Sequence, residues 1–135
     1  MKKPAKKTAA RRSALTLKHL REIALSFPGA VEGTSYGKPA FLVGSKFFTR
    51  LRDEDDSVVL MVGSIDERDM LLENDPKLFH ITEHYRNYPA ILGRLKNLDA
   101  ATLRAMLTPR WRHLAPRKLV KEHDAQQTNT QKKPR

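Results

Sequence analysis

Cysteine is absent from the 135 residues, which excludes a disulfide framework and cysteine-ligated zinc. No apolar run approaches the roughly 18 residues that a membrane span needs. The N-terminus is basic but lacks the apolar segment of a secretory signal, so a cytoplasmic protein is the expectation. There is no G-x-S-x-G elbow, and Ser35 and Ser45 stand in turn contexts without an evident base. The stretch Gly33–Lys38 is rich in glycine and ends in lysine. It carries Pro39 where a P-loop needs Ser or Thr, however, and it leads into a strand rather than a helix.

Two further chemistries fail on geometry. His80-Ile81-Thr82-Glu83-His84 fits H-x-x-E-H, the inverted zincin pattern. That chemistry needs a helix, whereas Phe-His-Ile-Thr reads as a strand. Strand residues four apart lie roughly 13 Å from each other, too far to share one zinc. The acidic run Asp53-Glu54-Asp55-Asp56 lacks the glycine and distal glutamate of an EF-hand loop and reads as a solvated hairpin turn. The expectation is therefore a non-enzyme with no metal and no cofactor.

Acid is missing from both ends of the chain. The formal net charge is +11. Residues 1–12 contribute Lys2, Lys3, Lys6, Lys7, Arg11 and Arg12, and residues 125–135 contribute Lys132, Lys133 and Arg135, with no acidic residue in either segment. Both segments lack an apolar pattern and are expected to be disordered basic tails. They read either as electrostatic arms for phosphates or as solvated extensions. Residues 13–124 are nearly balanced in charge and read as one domain.

Within that domain, Thr16 is an N-cap, with Leu15 and Leu20 as a hydrophobic staple, for a helix that Pro28-Gly29 closes. Ala40–Val43 and Lys46–Leu51 read as a hairpin turning at Gly44-Ser45 through a type II′ turn, with apolar groups on both faces. Val58–Val62 reads as a buried strand. Ser64 and Glu67 form a capping box over a short helix that Asp75-Pro76 ends. Leu78–Thr82 and Ala90–Leu95 read as strands, separated by the turn His84–Pro89. Asp99 caps a last long helix with an apolar stripe of Leu103, Met106, Leu107, Trp111 and Leu114. Arg110 would lie along that stripe in an unbroken helix, so Pro109 predicts a break. Arg117–Lys121 reads as a short basic helix. The order of elements implies an α+β fold: a mostly antiparallel, twisted sheet of five to six strands with helices packed against it.

The candidate binding groups follow from chemistry. Nucleic-acid contact needs cations for phosphates and flat groups for bases. The cations are Lys38, Lys46, Arg50, Arg86, Arg94, Arg110, Arg112, Arg117, Lys118 and Lys121. The aromatic or pocket candidates are Tyr36, Phe41, His84, Tyr85 and Tyr88. Tyrosines in strands and turns equally serve to complete a core rim.

Blocks of the sequence resemble the MmcQ/YjbR family of small bacterial proteins. They are Gly33–Phe41, Val43–Phe48, Glu67–Leu72, His84–Pro89 with Leu95, Trp111, and Ala115–Leu119, within residues 16–122. The resemblance implies a CyaY-like fold and a proposed double-wing mode of DNA binding, with the hairpin 40–51 or the turn 84–89 as a wing. The functional expectation is a DNA-binding protein of low sequence specificity. The alternative is a protein- or small-ligand-interaction module with a pocket between the turns 33–41 and 84–89.

Overall fold

A computed structural model describes residues 15–132. Helix α1 (Leu17–Leu25) leads into four strands, β1 (Ala30–Ser35), β2 (Lys38–Val43), β3 (Lys46–Arg52) and β4 (Ser57–Met61). Helix α2 (Ile65–Asn74), strand β5 (Phe79–His80), strand β6 (Ala90–Arg94), helix α3 (Ala100–Leu114) and helix α4 (Arg117–Lys132) follow, with short 3-10 turns at Glu83–Tyr85 and Leu95–Asn97. The six strands form one sheet in the order β1-β2-β3-β4-β6-β5, every neighbouring pair antiparallel. The fold is α+β, as the sequence implies.

Caps define the helix starts. The Thr16 hydroxyl accepts from the His19 backbone, while the Thr16 N–H donates to His19 Nδ1, so a histidine fills the place of the usual Glu or Gln in a capping box. Ser64 caps α2 through the Glu67 N–H, but the Glu67 carboxylate reaches one residue further back, to the Gly63 N–H at 3.0 Å. Asp99 caps α3 through the Thr102 N–H.

One face of the sheet carries the main core. Trp111 on α3 is fully buried, and its ring lies 6.0 Å from Phe27, which in turn meets Phe48 edge-on at 5.5 Å. The indole N–H donates to the Pro28 carbonyl at 2.8 Å, so the one polar atom of the ring is satisfied inside the core. A bulge in the β2–β3 ladder sets Phe48 and Thr49 against Phe41 alone. The extra residue sends Phe48 into the core. Val59 and Leu92, which face the other way, are also buried. The sheet centre is therefore covered on both sides, while Leu42, Phe47 and Arg50 of the β2–β3 hairpin are half-buried.

Several sequence expectations change. Residues 30–35 form an edge strand, although half of them look like turn residues; pairing with β2 alone leaves their outer positions exposed and their pattern weak. The Gly44-Ser45 turn has positive φ at both residues, 60° and 69°. That is type I′ rather than II′, which matches the strand twist and places a serine in the left-handed region. The strand expected over 78–82 shrinks to Phe79–His80, because 3-10 geometry takes over at Glu83.

Helix α3 runs unbroken through Pro109. Arg110 does lie toward the protein, as an unbroken helix requires, and its guanidinium is satisfied by the Phe47 carbonyl. The Thr108 hydroxyl donates to Arg104 O at 2.7 Å in the same turn. The C-terminal segment expected to be disordered from residue 125 is instead helical through Lys132 as part of α4. Leu119, Val120 and His123 give its first half an inner face, and His123 packs 4.9 Å from Trp111. The expected N-terminal tail, residues 1–12, and residues 133–135 lie outside the described residues.

Candidate nucleic-acid interface

Antiparallel topology sorts the turns into two ends of the sheet. The β1–β2 turn at Tyr36-Gly37 and the acidic β3–β4 turn at residues 53–56 share one end. The β2–β3 turn at Gly44-Ser45, the end of β4 and the start of β6 share the other. Lys38 and Lys46 stand at opposite ends of β2, roughly 17 Å apart along the strand direction.

At the first end, cations meet acids. Arg52 pairs with Asp55 at 3.3 Å. Burial works against the Arg52 charge, yet hydrogen bonds to Asp55 and Tyr85 and the nearby charges of Asp55 and Glu54 raise its pKa. Glu54 is held below the ordinary carboxylate range, first by a hydrogen bond from its own backbone and then by the charges of Arg52, Lys38 and Arg50. Lys38 and Arg50 thus face the acidic loop. Arg94, opposite Ser57 in the ladder, lies close enough to His80 to help lower its pKa.

The same end holds an arrangement invisible in the sequence. Ser57 Oγ lies 2.8 Å from His80 Nε2, and Asp55 Oδ2 lies 3.8 Å from that same nitrogen. Burial first, and then the charges of Arg94 and Arg52, lower the His80 pKa against the opposing charge of Asp55. The Ser57 hydroxyl and His80 Nε2 share a hydrogen bond, and the same hydroxyl reaches the Asp55 carbonyl at 3.4 Å. Serine and aspartate crowd one ring nitrogen, whereas an oriented triad uses both, and Ser57 has no solvent-accessible surface. The contact ties β4 to β5. His84 points elsewhere and packs edge-on to Tyr85 at 4.7 Å, with Tyr88 6.1 Å away. The two histidines of the H-x-x-E-H run thus have separate surroundings, and among the described residues no cluster of three or more potential ligands could hold a metal.

The expected pocket between the turns 33–41 and 84–89 does not form. Phe41 is buried in the core, and Tyr36 stands fully exposed at the tip of the β1–β2 hairpin with φ 51°. His84, Tyr85 and Tyr88 precede β6, three strand positions from β2, or about 14 Å. A cleft of about 170 Å³ includes Lys38, Phe41 and Arg50 but none of residues 84–88. Tyr85 instead lies under the Arg52 guanidinium, 5.8 Å from its centroid, and Arg86 is paired with Glu83 at 2.7 Å. Arg68, which the sequence reading passed over, holds this turn in place. It is almost fully buried and donates to the carbonyls of Tyr85, Arg86 and Tyr88.

The second end is different. Gly44 approaches the α3–α4 junction so closely that a Cβ on it would lie 3.6 Å from the Leu114 carbonyl. Arg110 binds the Phe47 carbonyl through Nε and Nη2, at 3.2 and 2.8 Å. Burial lowers its pKa, so Arg110 is a structural clamp on the hairpin rather than a free phosphate contact. Arg112 is engaged too: it forms a two-pronged pair with Asp124 that clasps α3 to α4. This hydrogen bonding holds the Arg112 guanidinium charged and the Asp124 carboxyl below its usual range.

Lys46, Arg117, Lys118 and Lys121 remain exposed, and none of them makes an ion pair among the described residues. Leu119 anchors their helix from the inside, 3.0 Å from the position a Cβ on Gly29 would take. Helical spacing then turns Arg117, Lys118 and Lys121 outward. The hairpin tip and the first turns of α4 form one basic edge, with the acidic loop at the far end.

The YjbR family model matches residues 25–113 of this chain. An uncharacterized protein of Mycobacterium bovis and two uncharacterized proteins of Mycobacterium tuberculosis are each 34% identical to it over 50 residues, 37% of this chain and 39% of theirs. The chain thus matches about two fifths of the length of these relatives. No solved structure matches it. Among the described residues no helix is long and apolar enough to cross a membrane.

Proposed function

The chain belongs to the YjbR family, and we propose that it is a cytoplasmic, non-enzymatic DNA-binding protein of low sequence specificity. One observation carries this reading. The exposed, unpaired cations Lys46, Arg117, Lys118 and Lys121 gather at one end of the sheet, while the acids of residues 53–56 occupy the other. A polyanion would meet the first end and avoid the second.

The β2–β3 hairpin serves as the wing, and α4 lies beside it along the phosphate backbone. The basic segment 1–12 adds six cations with no acid among them, enough to add phosphate contacts to those of the sheet edge. Lys46 at the hairpin tip and the three cations of α4 are suited to phosphates, contacts that carry no sequence information, which favours backbone contact over sequence readout. The 84–89 turn is the weaker wing, because its one cation, Arg86, is already neutralised by Glu83.

The test is fluorescence anisotropy of the full chain with two unrelated duplexes across a salt series. The expected result is equal affinity for both, with log K falling in proportion to log salt by about 0.9 per phosphate contacted. Absence of binding at low salt, or binding indifferent to salt, would overturn the reading.

A further inference from the structure

A cleft of about 370 Å³ opens between helix α3 and the segment linking β4 to α2. We infer that it binds a small organic carboxylate with an apolar body, a site independent of the basic edge described above.

The walls are apolar. Met61, Val62 and Pro89 come from the sheet side, and Met106 and Pro109 come from α3. Methionines adapt their shape to a guest, and Pro109 offers an apolar ring on the helix wall. The volume is at the lower end of the range usual for small-molecule sites.

The polar end is Arg110. It lines this cleft, its guanidinium is half-buried, and Nε and Nη2 are both taken by the Phe47 carbonyl. No carboxylate pairs with it among the described residues. A cation partly withdrawn from water without a counter-ion is unfavourable, and an acid group that meets its free Nη1 would remedy this. His113 lines the same cleft and lies three residues further along α3, so it can donate from the same side of the helix. Glu67 also lines the cleft, with one oxygen committed to the Gly63 N–H. It repels an anion at that rim and so confines the ligand acid to the Arg110 side. A nucleic-acid phosphate fits less well, because it brings no apolar body for the methionine and proline walls.

The experiment uses the full chain with 13C-methyl methionine. Met61 and Met106 report on the cleft, and the exposed Met70 serves as the internal control. The probes are hexanoate and phenylacetate, each compared with its amide. The expected result is saturable shifts at Met61 and Met106 but not at Met70, with the amides at least about tenfold weaker because they lack the charge-assisted bond. Arg110→Gln brings the acids down to the level of the amides. Ala105→Trp, at an exposed position on the cleft wall, blocks both probes while Arg110 and its hydrogen bonds stay in place. Shifts that fail to saturate at millimolar probe, equal binding of acid and amide, or binding that survives Ala105→Trp would each overturn the assignment.

Discussion

Arg110 on α3 grips the backbone carbonyl of Phe47 on β3 with two donors, across 63 residues of sequence. This contact satisfies the guanidinium that an unbroken α3 turns toward the protein, and it holds the hairpin tip that presents Lys46. Replacing Arg110 by Ala removes a charge-assisted bond and leaves a carbonyl half-buried without its partner. Urea unfolding should show a loss of about 2 kcal/mol. A loss indistinguishable from zero would mean that the hairpin is held by other contacts.

Trp111 is the next position to probe. Its ring is fully buried against Phe27 and its N–H is satisfied by Pro28 O. Trp111→Phe keeps an aromatic ring but removes the donor and leaves a small void. The expected cost is about 2–3 kcal/mol in the same unfolding measurement.

His80 makes stability depend on pH. Its folded pKa lies below the ordinary value of 6.5 because it is buried and faces Arg94 and Arg52, with Asp55 opposing. The unfolded chain therefore binds the proton more readily than the folded one. This contribution is fully present above the unfolded pKa and is lost as pH falls through the folded one. Thermal midpoints should drop on acidification from neutral pH, and His80→Asn, which can still hydrogen-bond Ser57 but does not titrate, should flatten that slope. An identical pH profile in the variant would remove His80 from the explanation.

The acidic loop should be a bystander in DNA binding at physiological salt. It follows the far end of β3, roughly 20 Å of strand from Lys46 and more than twice the Debye length at 0.15 M. The double substitution Asp53→Asn with Glu54→Gln should change affinity by less than about twofold there. A larger gain would place the DNA across both ends of the sheet.

Much of this fold is legible in the sequence because local chemistry decides it. Thr16, Ser64 and Asp99 announce their helices, and Gly44-Ser45 announces the hairpin. The failures occur where distant groups decide. β1 is an edge strand whose alternation is blurred by solvent on one side. α3 continues through Pro109, and Phe47, far away in sequence, satisfies the Arg110 that the unbroken helix turns inward. Six of the ten candidate cations are set aside for the same reason: Arg86, Arg110 and Arg112 already have partners, Lys38 and Arg50 face acids, and Arg94 lies beside His80 at the acidic end. The cluster of Ser57, His80 and Asp55 has no sequence signature, since it is assembled across strands.

The most direct measurement of the central claim is the salt slope of DNA binding for the full chain and for the triple variant Arg117→Gln, Lys118→Gln, Lys121→Gln. Each lost phosphate contact lowers the magnitude of the log–log slope by about 0.9, so the account predicts a slope shallower by about 2.7 and a weaker complex with every duplex sequence. An unchanged slope would mean that α4 does not touch the phosphates, and would contradict the assignment of this edge as the interface.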